Sequence, residues 1–146
     1  MTDEPKRQAG HVIATDFENP FHNFVESLRI LSHDAKTQCN EMGNHYAARQ
    51  IRNEVTGVGA IVLAFPHSYL TAFQKAKIAE LADLMKQLPD EAIIAGLADM
   101  TTHAGCMKTM QHPAWERMRE RARQLLVLLE WAIRCNEASL GDAERN

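Results

Sequence analysis

Three histidines stand beside helix-breaking residues: His22 just past Pro20, His67 next to Pro66 and His112 next to Pro113. Imidazole binds zinc-type ions and changes charge near neutral pH. If the chain folds into up-and-down rods, these three side chains share one pole, with Glu116 one turn further on. They form a candidate metal site or proton-sensitive patch. The plainer reading is that helix ends tolerate histidine without any ligand. His103-x-x-Cys106 also places two ligand-type groups on one helical face. Zinc takes three or four ligands, and no second pair stands at suitable spacing. No cofactor is expected.

The densest run of charge is Glu116-Arg117-Met118-Arg119-Glu120-Arg121-Ala122-Arg123. Arg117 and Arg121 share one helical stripe, so they make a candidate ridge for phosphates or an acidic partner. The interleaved glutamates offer local pairing as the simpler account. Other chemistries find less support. Di-iron bundles need paired Glu-x-x-His motifs, which do not occur here. Gly57-Val58-Gly59 follows no strand and lacks a third glycine, so it is no nucleotide loop. No order of Ser, His and Asp or of Cys and His suggests an activated nucleophile.

The elements that would position these groups are marked by Pro20, Gly43, Pro66, Pro89 and Pro113, at intervals of 23, 23, 23 and 24 residues. About 20 helical residues make a rod roughly 30 Å long. Equal rods joined by short turns pack beside their neighbours. The spacing predicts an all-α fold, an antiparallel up-down bundle of about five helices. Residues 20–136 form the bundle domain, 1–19 an N-terminal arm or disordered tail, and 137–146 a flexible C-terminal tail.

Each interval carries apolar residues at helical spacing. The first, Pro20 to Met42, has Asn19 as its cap, Pro20 in its first turn and Gly43 as its stop. In the second, Asn44 to Phe65, Gly57 and Gly59 each cost about 1 kcal/mol relative to Ala. A close helix crossing would account for them. The third, Ser68 to Leu88, starts with Ser68 as N-cap. The fourth begins at Pro89 and is weakened around Thr101-Thr102-His103-Ala104-Gly105, where a kink or break is expected. The fifth, Pro113 to Asn136, is apolar almost all round between Leu125 and Ile133, which marks a central helix or a subunit interface.

A chain of 146 residues with 45% hydrophobic content can bury a core without a metal or disulfide. Its net charge of −3 argues against a general nucleic-acid binder. Cys39, Cys106 and Cys135 are odd in number and lack a Cys-x-x-Cys pair, which suggests buried thiols in a reducing, cytoplasmic setting. The longest apolar run, Leu125 to Leu129, is too short for a bilayer that needs about 20 residues. The sequence therefore points to a non-enzymatic bundle that self-associates, a dimer favoured, or binds another protein. A nucleic-acid-associated subunit using Arg117 and Arg121 is the second reading. A metal- or ligand-binding bundle using His22, His67 and His112 is the third.

Overall fold

The computed structural model describes the backbone of residues 3–43, 46–66, 68–94 and 101–145, with side chains from 17 to 141 within those ranges. Among the described residues there are seven α-helices and no strand: α1 Asp3–Ser32, α2 Ala35–Glu41, α3 Ala47–Ala64, α4 Ala72–Lys86, α5 His103–Met110, α6 Ala114–Leu128 and α7 Glu130–Arg145. A 3-10 turn, Asp90–Ala92, follows α4. The fold is all-α as expected, but the helices are seven and unequal where about five equal rods were expected.

Several boundaries moved. Helix α1 passes through Pro20 and reaches back to Asp3, across the segment read as an arm. Proline removes a backbone donor, yet packing overrides that penalty here. Phe17 is buried and stacks on Phe21 one turn later, and its ring meets the edges of Phe65 and Tyr69. The first rod also stops earlier than Met42. It closes at His33, and Asp34 caps the new helix α2 by accepting from the Thr37 backbone N–H at 2.8 Å. Gly43 stops α2 with φ of 68°, as a glycine can.

Helix α4 starts at Thr71, not Ser68. Thr71 and Gln74 form a reciprocal capping box. The fifth rod is divided at Leu129 into α6 and α7. There the Leu128 carbonyl accepts from Gln74 Nε2 at 3.1 Å, a side chain set into the helical ladder. Residues 137–145, read as a frayed tail, continue α7. The break foreseen near Thr101 is seen as a turn and bend at 101–102 followed by α5, which Thr102 caps. Residues 95–100 lie outside the described residues.

Helices α1, α3, α4 and α6 close a ring of packed neighbours, with α7 against α1 and α5 against α2. Contacts between α1 and α3 run in reverse order: Phe17 with Phe65, Phe24 with Gly59 and Ser27 with Glu54. Those between α4 and α6 also reverse, Gln74 with Leu128 and Glu80 with Arg121. The ring encloses Phe21, Phe24, Leu28, Leu31, Ile51, Ile78, Met85 and Leu129. Gly59 explains the close crossing expected of the glycine pair. A Cβ there would lie 3.2 Å from the Phe24 ring, whereas one at Gly57 would meet nothing within 4 Å.

Cys39 and Cys106 are joined by a disulfide across a sequence separation of 67 residues. This corrects the reading of both as packed thiols. The sequence offered no pairing signal, because the partners meet only once α5 folds onto α2. Cys135 is free and half-buried.

Candidate functional site

The basic run of α6 does not form one ridge. Arg117 faces solvent. Arg119 turns inward and is 3% exposed. Its Nε and Nη2 donate to Gln38 Oε1 at 3.2 and 2.9 Å, Nη2 also donates to the Met110 carbonyl, and Nη1 meets Glu116 Oε1 at 2.6 Å. Burial lowers its pKa, while the Glu116 hydrogen bond and charge oppose that shift. Gln38 is itself fully buried and donates to the Ile30 and Leu31 carbonyls at the end of α1. Four elements thus meet at one guanidinium. The sequence shows Arg119 only as one charge of the run 116–123. Its inward direction depends on Gln38, 81 residues away along the chain.

Arg121 leaves α6 on another side, toward α4. Its Nη1 pairs with Glu80, which also accepts from Lys77 Nζ at 3.3 Å. The Lys77 hydrogen bond and charge, with Arg121 adding to them, hold the Glu80 carboxyl below the usual carboxylate range. Arg123 pairs with Glu120 at 2.9 Å. Arg117 and Arg121 are therefore not presented as equivalent free cations.

Lys77, Glu80 and Arg121 rim a cleft of about 200 Å³ between α4 and α6. Gln124 completes the rim, and Leu81, Leu125 and Leu128 form the floor. Sites for drug-sized ligands usually span about 300–1,000 Å³, so this cleft suits something smaller. The Lys77 ammonium also lies 5.5 Å from the centre of the Phe73 ring, which is exposed. The Gln74–Leu128 bond sets the start of α4 level with the α6–α7 junction. On that junction, one helical turn apart, stand Val127 and Trp131, 74% and 67% exposed. Ile61 on α3 is 51% exposed, on the open face that also carries Gly57.

Two of the three histidines are described, and they lie in different surroundings. His22 is exposed on α1 beside Ile133, Asn136 and Glu137 of α7. His112 lies just before α6, and its Nδ1 accepts the Ala114 backbone N–H at 3.1 Å. Close by in sequence, Trp115 Nε1 donates to the Ala92 carbonyl at 2.8 Å and Arg119 reaches Gln38. Among the described residues between Pro89 and Pro113, helical structure is limited to the short turn Asp90–Ala92 and to α5. His67 lies outside the described residues. Among the described residues, no group of three or more His, Cys, Asp or Glu side chains is placed to hold a metal ion. Cys106 of the His103-x-x-Cys106 pair is committed to the disulfide.

No described helix is long and apolar enough to cross a membrane. Compared with protein-family models, curated proteins and solved structures, the chain matches none of them.

Proposed function

We propose that this chain is a non-enzymatic interaction module, an antiparallel up-down bundle that self-associates through the outer face of the α6–α7 junction. The observation that carries this reading is the exposure of Val127 and Trp131 one turn apart, with Phe73 at the same level on α4. A tryptophan left in water beside a bare valine is an unusual use of surface. Large exposed apolar groups close together mark association sites, and tryptophan is enriched among residues that dominate binding energy. A dimer is the favoured state, because a two-fold interface uses one self-complementary patch.

The reading is tested by sedimentation velocity. Wild type is expected to sediment as a dimer, and the double variant V127E/W131E as a folded monomer with unchanged helical content. A monomeric wild type, or a variant of undiminished mass, overturns the interface.

For the nucleic-acid reading, Arg117 is exposed while Arg121 is paired with Glu80. The histidine reading loses the neighbourhood of His22 and His112. The disulfide supports an oxidising compartment over the cytoplasm, because such bonds persist where thiols are not kept reduced.

A further inference from the structure

We propose that the α4–α6 cleft is a binding site for a short aliphatic monocarboxylate, its headgroup between Lys77 and Arg121 and its chain on Leu81, Leu125 and Leu128. The inference goes beyond the association surface and does not depend on it. Three observations carry it. The first is charge. Two cations share the one carboxylate of Glu80, so the rim keeps a net positive charge and can accept a second carboxylate. The second is the floor. Leu81 and Leu125 are buried and Leu128 is half-buried, and all three open onto the cleft. An aliphatic chain laid on these leucines leaves water, which favours binding. The third is size. About 200 Å³ is below the range for drug-sized ligands and suits a single unbranched chain.

The headgroup chemistry is specific in sign. Arg121 offers a planar fork suited to a carboxylate, and Lys77 a compact charge beside it. Only one Glu80 oxygen carries each existing ion pair, with Oε2 on Lys77 and Oε1 on Arg121. The remaining N–H groups of both cations can therefore turn to a ligand without breaking either pair. A cationic headgroup would meet two like charges and be rejected.

The test is NMR titration of the full chain with octanoate, octylamine and acetate, repeated on K77Q/R121Q. Octanoate is expected to give saturable shifts at Leu81, Leu125 and Leu128. Octylamine and acetate at the same concentrations are expected to leave those signals in place. The double variant, folded by circular dichroism, should bind octanoate at least tenfold more weakly. The proposal is overturned if octanoate does not saturate these signals, if octylamine moves them equally, or if the double variant binds as well as wild type.

Discussion

Arg119 shows how one side chain can hold several elements while carrying a full charge. A buried guanidinium is costly unless its donors are used, and here they reach Gln38, Met110 and Glu116. Gln38 in turn donates to the carbonyls of Ile30 and Leu31 at the end of α1, of which Ile30 also accepts from the His33 backbone N–H. Removing the arginine would leave the Gln38 oxygen and the Met110 carbonyl buried without it. Glu116 is itself exposed, so the loss is that of buried acceptors, and Arg119→Ala should destabilise the protein by about 2 kcal/mol. Arg117→Ala, at an exposed position two residues away, should be close to neutral. Urea denaturation of both variants reads the contrast. Equal effects would mean that Arg119 is not the joint described above.

At the scale of elements, the two glycines of α3 have opposite meanings. Gly57 sits in open space within a helix, so a methyl group there lowers the entropy of the unfolded chain and meets nothing. Gly57→Ala should raise stability by about 1 kcal/mol. Gly59→Ala gains the same helix propensity but presses a Cβ to 3.2 Å from the fully buried Phe24 ring. It should forfeit that gain and destabilise the fold. Thermal denaturation in which both variants melt higher than wild type would show that the crossing has slack. The sequence held the stripes of α3 and α4 and the stop at Gly43, since these depend on local periodicity and on one residue's backbone. Pro20 and Leu129 misled for a different reason. At Pro20 the aromatic packing of Phe17 extends a helix that local rules would end. At Leu128 a glutamine from another helix interrupts a stripe that local rules would continue. The α4–α6 cleft was equally hidden. Lys77 and Glu80 stand three residues apart on one helix, but their joint use with Arg121 needs two antiparallel helices brought level.

At the scale of the whole molecule, the chain is a ring of long helices with a cap at one end. The cap consists of α2, the 3-10 turn and α5, and three ties fasten it: the Cys39–Cys106 bond, the Trp115–Ala92 hydrogen bond and the Arg119 cluster. Only the disulfide is covalent, and it closes a long loop. In the chain-entropy account, a loop of this length constrains the unfolded state by about 4 kcal/mol. Reduction by a dithiol should therefore lower the denaturation midpoint. Its first structural effect should be local, because α5 is short and depends on α2 for much of its packing, whereas α1, α3, α4 and α6 hold one another. Hydrogen exchange should then rise in α2 and α5 under reducing conditions, with the amides of α3 and α4 still protected. The C39A/C106A variant should reproduce both effects without any reductant. Uniform loss of protection through the bundle would mean that cap and ring fold as one cooperative unit. An unchanged midpoint would mean that the noncovalent ties suffice to seat α5.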